Sequence, residues 1–120
     1  MLLDSNLIIY ASQAAFADLR DFIAKRGPAV SVISVVEVLG YHSLSDVDRN
    51  LFEAFFATSK LLPISDAVIA QAVQLRQNHR MSLGDSLIAA TAVVHGLTLL
   101  THNVRDFANV PGLVIIDPLQ

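Results

Sequence analysis

Four acidic residues fall where the chain passes from one predicted element to the next. Asp4 follows a short apolar run, Glu37 stands at the start of a helix after a β-branched run, Asp85 opens a long apolar helix, and Asp106 lies in the loop after a later strand. Carboxylates crowded together repel, so some stay protonated unless a cation compensates. A hard divalent ion resolves that conflict. Mg²⁺ or Mn²⁺ suits carboxylate and water ligands, whereas zinc prefers His or Cys. Such an ion activates water and polarises a phosphoryl oxygen, which is what phosphodiester hydrolysis requires. Each acid also has a purely structural reading. Ser34-x-x-Glu37 and Ser82-x-x-Asp85 have capping-box spacing, Asp4-Ser5-Asn6 can be a turn leaving a strand, and Asp106 can end a loop. The chemistry is favoured by coincidence: segments expected to meet at one sheet edge each supply an acid there.

The elements that must position these acids follow one another closely, with no repeat and no Pro/Gly-rich linker. Met1–Asp4 reads as a first strand, and Leu7, Ile8 and Ala11 have helical spacing. Phe16, Leu19, Phe22 and Ile23 mark a helix ending at Lys25-Arg26-Gly27. Ala29–Ile33 reads as strand two, with a helix starting at Ser34. A helix from about Asp46 carries Leu51, Phe52, Phe55 and Phe56 on one face. Leu61–Ile64 is a third strand, placed at an edge by Pro63. Two helices follow, one carrying Val68, Ile69, Ala72, Val73 and Leu75, and one over Ser82–His95 that stops at Gly96. Leu97–Thr101 and Leu113–Ile116 are strands four and five. Apolar strands alternating with helices predict an α/β fold, three layers with a central, mostly parallel five-stranded sheet, in one domain spanning 1–120. Such sheets bind ligands outside the carboxyl ends of their strands, where the strand order reverses.

Composition narrows the alternatives. At 53% hydrophobic and 16% charged residues the chain is too apolar for intrinsic disorder. It has no cysteine, which excludes disulfides, thiolate zinc sites and a cysteine nucleophile. There is no Gly-rich phosphate loop and no Gly-x-Ser-x-Gly elbow, and His42, His79, His95 and His102 lack metal-ligand spacing. No signal segment opens the chain, and the stretch Leu87–Leu100 is too short to span a bilayer, so a cytoplasmic protein without membrane attachment is expected.

The residues around Asp85 and Asp106 carry a family resemblance. Gly84-Asp85-Ser86-Leu87-Ile88-Ala89-Ala90-Thr91-Ala92, then a strand leading into Thr101-His102-Asn103-Val104-Arg105-Asp106-Phe107, resembles the PIN-domain family and within it the VapC-like toxins. Leu3-Asp4-Ser5-Asn6 and Ser34-Val35-Val36-Glu37 match its other acidic segments, and the likeness runs from Met1 to Pro118. The resemblance implies a metal-dependent endoribonuclease of a toxin–antitoxin pair. In it Asp4, Glu37, Asp85 and Asp106 hold one or two Mg²⁺ or Mn²⁺ ions, and Asn6, Thr101 and Asn103 orient the carboxylates or bound water. Water activated by the ion would attack the phosphodiester in line, leaving a 5′-phosphate and a 3′-hydroxyl. The chain departs from the family pattern at Ser5, where threonine is usual, and Asn103 competes with Asp106 for the fourth position. A PIN-like binding module without catalysis, and a PIN nuclease outside any toxin–antitoxin pair, remain alternatives. A phosphorylatable receiver is disfavoured because no Lys follows strand five.

RNA would have to approach an acidic site on a chain of net charge −3. Local positive charge is available from Lys25, Arg26, Arg76, His79, Arg80, His102 and Arg105, and Arg80 and Arg105 flank the acids and are the expected phosphate contacts. The family further implies a homodimer and an antitoxin docked on the early helices, with contacts expected from Leu44, Leu51, Phe52 and Phe55.

Overall fold

A computed structural model describes residues 1–120. Its five strands are β1 (Leu2–Leu3), β2 (Ala29–Ser31), β3 (Leu61–Leu62), β4 (Leu99–Leu100) and β5 (Ile115–Ile116), all parallel in the order β3-β2-β1-β4-β5. The helices are α1 (Ser5–Ala11), α2 (Ala17–Arg26), α3 (Val32–Leu39), α4 (Asp46–Thr58), α5 (Asp66–Asn78), α6 (Leu83–His95) and the one-turn α7 (Val104–Phe107), with a 3-10 turn at Ala14–Phe16.

Successive strand residues point to opposite faces, and the register turns that alternation into two cores. Leu2 lies opposite Ala29 and Leu99, and these pack with Val68, Ala72 and Leu75 of α5 and Ile88 and Ala89 of α6. Leu3 lies opposite Val30 and Leu100, and these pack with Leu7 and Ile8 of α1, Leu19 and Ile23 of α2, Val38 of α3, and Phe52 and Phe56 of α4. The result is the expected three-layer α/β/α arrangement. A one-residue slip would exchange the two faces.

The β-branched run Ala29–Ile33 reads as strand throughout, yet the chain turns helical after Ser31. The sheet explains why. Ser31 is in register with Leu62, and Pro63 beyond it has no N–H to continue the ladder. Val32 and Ile33 therefore lack a partner strand there, and the Ser31 hydroxyl caps α3 by accepting from Ile33 N at 3.2 Å. The helix thus starts before Ser34, and Glu37 sits in its second turn, not at its start. The serine caps of α4, α5 and α6 (Ser45, Ser65 and Ser82) each accept a backbone N–H. Gly27 and Gly96 end α2 and α6 at φ 54° and 64°, the left-handed conformation that favours glycine. The other strands are also shorter than the apolar runs suggest, and Asp106 lies on α7 where a loop was expected.

No helix is long and apolar enough to cross a membrane.

Candidate active site at the carboxyl edge of the sheet

From β1 the sheet grows outward on one side through β2 and β3; the chain then crosses back to β4 and β5 on the other. The order therefore reverses between β1 and β4, and the crevice beyond their carboxyl ends is the expected binding place. Asp4 follows β1 there and Thr101 follows β4. The Asp4 amide donates to Leu100 O at 2.9 Å, and the Thr101 hydroxyl donates to Asp4 Oδ2 at 2.7 Å. Thr101 Oγ1 in turn accepts from the Asn103 amide at 3.0 Å. A side chain 97 residues away in sequence thus fixes the carboxylate of Asp4.

Asp4 is only 3% exposed. Burial, reinforced more weakly by the charges of Asp85 and Glu37, pushes its carboxyl from 3.8 up to about 6, against the opposing hydrogen bonds from Thr101 and the Ser5 amide. Asp85, in the first turn of α6, is also raised. Burial is again the main cause, followed by the charge of Asp106, while Ser82 opposes the shift and Glu37 adds to it. The four acids therefore form one electrostatic row. Asp4 is innermost, Asp85 is half-buried, Glu37 is exposed, and the exposed Asp106 acts through Asp85.

The capping-box spacing at Glu37 has no structural counterpart, because Ser31 caps α3. Instead Ser5 Oγ donates to Glu37 Oε1 at 2.8 Å and lies 2.7 Å from the buried Ser34 Oγ. A methyl group added at Gly84 would stand 2.5 Å from Glu37 Oε2. Glycine at that place lets the Glu37 carboxylate lie against the first turn of α6. At Ser82 the cap is real: its Oγ accepts from the Asp85 amide at 3.1 Å. Asp85 is thus held by a cap and still presents its carboxylate to its neighbours.

The other expected site residues divide. Thr101 orients Asp4 directly. Asn103 makes no side-chain hydrogen bond; its backbone N–H donates to Thr101 Oγ1 and its carbonyl accepts from the Asp106 N–H at 3.1 Å. Asn6 is exposed on α1 and makes no side-chain hydrogen bond, so Ser5 does the orienting expected of its neighbour. Ser5, Ser34 and Gly84 were not legible as site residues. The one sequence signal was the position of Ser5 and Gly84 beside Asp4 and Asp85. Arg80 and Arg105 line a common depression with Asp106.

The donor set is all oxygen and holds a buried carboxylate with a raised pKa, which suits a hard divalent cation. As placed, no three of the acids converge on one ligand position. Loading would therefore need side-chain rotation, and Asp85 and Asp106 are the acids not tied by a side-chain hydrogen bond to a distant element.

Toward the C-terminal end of α1 lies an apolar groove of about 540 Å³ lined by residues of α1, α2 and α4, among them Ile8, Ile23, Leu51, Phe52 and Phe55. Leu44 is partly buried against the neighbouring core and does not line the groove.

Comparison with known proteins agrees with this architecture. The family model described as PIN domain matches residues 1–113. Ribonuclease VapC10 of Mycobacterium tuberculosis is 33% identical over 116 residues, covering 89% of this chain and 85% of that protein. A toxin–antitoxin complex from Klebsiella pneumoniae contains a chain with 29% identity and a TM-score of 0.76, covering 98% of this chain and 96% of that one. The DNA-bound VapBC of Salmonella typhimurium has the same fold at a TM-score of 0.85 and 22% identity, over 97% and 96% of the two chains. The likeness takes in every strand of the sheet up to β4 and the segments that carry all four acids, and on that extent the chain belongs to the PIN domain family.

Proposed function

We propose that this chain is an endoribonuclease that hydrolyses RNA phosphodiester bonds with Mg²⁺ or Mn²⁺, and that it is the toxin of a toxin–antitoxin pair. The observation that carries the reading is the buried Asp4 carboxylate, raised to about 6 amid other acids at the switch point of the sheet. An acid kept there at an energetic cost is better explained by a cation than by fold stability. The name of the ribonuclease relative supports the activity, and that of the toxin–antitoxin complex supports the pairing.

Asp4, Glu37, Asp85 and Asp106 would hold the metal. The bound ion supplies a Lewis acid for the phosphoryl oxygen and lowers the pKa of water. The chain's own residues provide the order. Thr101 keeps Asp4 aimed, the Ser34–Ser5 pair keeps Glu37 aimed, and the Ser82 cap holds the backbone of Asp85. Asp106 is preferred to Asn103 as the fourth ligand because its charge reaches Asp85. Asn103 and Asn6 are left to orient water.

In this reading the single PIN domain spans 1–120 and acts in the cytoplasm as a homodimer. An antitoxin segment occupies the α1–α2–α4 groove through Leu51, Phe52 and Phe55, with Arg20 and Lys60 also lining it.

Cleavage of end-labelled structured RNA by purified protein tests the proposal. Cuts that need Mg²⁺ or Mn²⁺, stop with EDTA and disappear in folded Asp4→Asn and Asp85→Asn variants are expected. Cuts that survive both substitutions would refute the assignment of the site. A lack of both cleavage and calorimetric metal binding would favour an inactive binding module.

A further inference from the structure

We propose that the polar notch beside the carboxylate row, flanked by Arg80 and Arg105, binds a backbone phosphate of RNA next to the cleaved bond. The identity of the ligand rests on the ribonuclease reading; the site itself rests on the following geometry. The end of α5 and its exit loop bring Asn78, His79 and Arg80 to one wall, and α7 with the residues after it brings Arg105, Asp106 and Asn109 to the other. The notch measures about 360 Å³, and only two of its eight lining residues are hydrophobic.

Neither arginine has a carboxylate within ion-pair distance or a side-chain hydrogen bond, although Asp106 lines the same notch. Three of the four other arginines are engaged, and the fourth, Arg76 on α5, is unpaired but does not line the notch. Arg49 pairs with Asp46 at 3.3 Å, Arg20 donates to Ala11 O and Gln13 O, and Arg26 stacks over Phe22 at 5.2 Å. A cation after the C-terminus of α5 would complement the helix dipole, which accounts for Arg80. It does not account for Arg105, on a one-turn helix 25 residues later that turns toward the same space.

Charge supplies the reason for the pair. RNA entering the crevice meets a row of carboxylates on a chain of net charge −3. A divalent ion offsets only part of that repulsion, and it acts on the scissile group. The flanking phosphate lies beyond the ion and needs its own cations. Guanidinium groups match phosphate oxygens with paired N–H donors, and the Asn109 amide, which makes no hydrogen bond within the protein, adds another donor. Asp106 belongs to both the row and the notch, so an RNA strand can run from one to the other without crossing apolar surface.

The test measures binding of a fluorescein-labelled RNA hairpin by anisotropy across a salt series, in an Asp4→Asn background that prevents cleavage. Arg80→Ala and Arg105→Ala each lower the slope of log affinity against log salt by about 0.7–0.9. Each also weakens binding roughly tenfold. Arg49→Ala, which removes the same charge from α4, leaves both quantities unchanged. Arg80→Lys and Arg105→Lys restore the slope but only part of the affinity. In the cleaving chain the double alanine variant raises KM with kcat nearly kept.

If RNA is bound and the double variant behaves like Arg49→Ala, the notch is overturned and the ribonuclease reading stands. If the wild type cuts no RNA while binding still depends on both arginines, the ribonuclease reading fails and the notch stands. If RNA is not bound at any salt concentration, both fall.

Discussion

The carboxyl edge of the sheet and the groove between α1, α2 and α4 are built on opposite principles, although α1 helps to form both. At the edge, polar side chains from distant segments are tied by short hydrogen bonds, and the central acid is strained by burial and like charge. In the groove, Leu51 and Phe55 expose apolar surface beside a buried Phe52 that belongs to the core. The edge is ordered by direction-specific bonds at some cost in stability. The groove is shaped by packing, and its stabilising residues are also its lining. A substitution should therefore separate function from stability at the edge and confound them at the buried lining of the groove, Phe52 above all.

The largest expected effect tests the first half of that contrast. Asp4→Asn is expected to lower RNA cleavage by about a thousandfold or more, since it removes a carboxylate assigned to the metal. The same change is expected to raise stability at pH 7 by about 1–3 kcal/mol, because an amide accepts from Thr101 without a buried charge. Denaturant unfolding beside the cleavage assay checks both. A loss of activity accompanied by a loss of stability would undo the contrast. Phe52→Ala tests the other half. This side chain is 4% exposed, and truncating it is expected to cost about 3–5 kcal/mol of unfolding free energy. Leu51→Ala, at a half-exposed position of the same groove, should stay within about 0.5 kcal/mol and weaken only partner binding.

A sharper comparison comes from pH. Asp4 binds its proton more tightly in the folded chain than in the unfolded one, since its pKa is about 6 against 3.8. Its contribution to stability is therefore full below pH 3.8 and is lost as pH rises toward 6. The loss is about 3 kcal/mol at most. The raised Asp85 acts in the same direction. Unfolding curves across this window should show the decline in the wild type and a much smaller one in Asp4→Asn. At pH 7, added Mg²⁺ or Mn²⁺ should raise the Tm of the wild type and not of the variant.

The smallest expected effect is at Gly84. Replacement by alanine pushes a methyl against Glu37 Oε2, so cleavage should fall roughly tenfold. Stability should change by less than about 1 kcal/mol, because the helix propensity gained by alanine offsets the displaced side chain. Equal losses of both would mean that Glu37 serves the fold and not the site.

Much of this architecture was legible along the chain because it follows from local periodicity. The apolar strand runs, the serine cap at Ser82 and the glycine stops at Gly27 and Gly96 all stand where the side-chain pattern puts them. Asp4, Asp85 and Asp106 could be singled out because each lies beside such a boundary. The strand-to-helix change at Ser31 was not legible. Val32 and Ile33 favour a strand locally, and only the end of the neighbouring strand at Pro63 removes that option.

By itself, then, the sequence determined the class of fold, the order of elements and the acids available for chemistry, since periodicity and residue type are properties of neighbouring positions. Tertiary structure alone decided which groups act together. Thr101 reaches Asp4, Ser5 reaches Glu37 across the gap to α3, Gly84 makes room for that glutamate, and Arg80 and Arg105 come to share one notch. Each of these pairings joins segments at least 20 residues apart. Hydrogen bonds and electrostatic coupling act over distances in space, which the register of a parallel sheet sets and spacing along the chain does not.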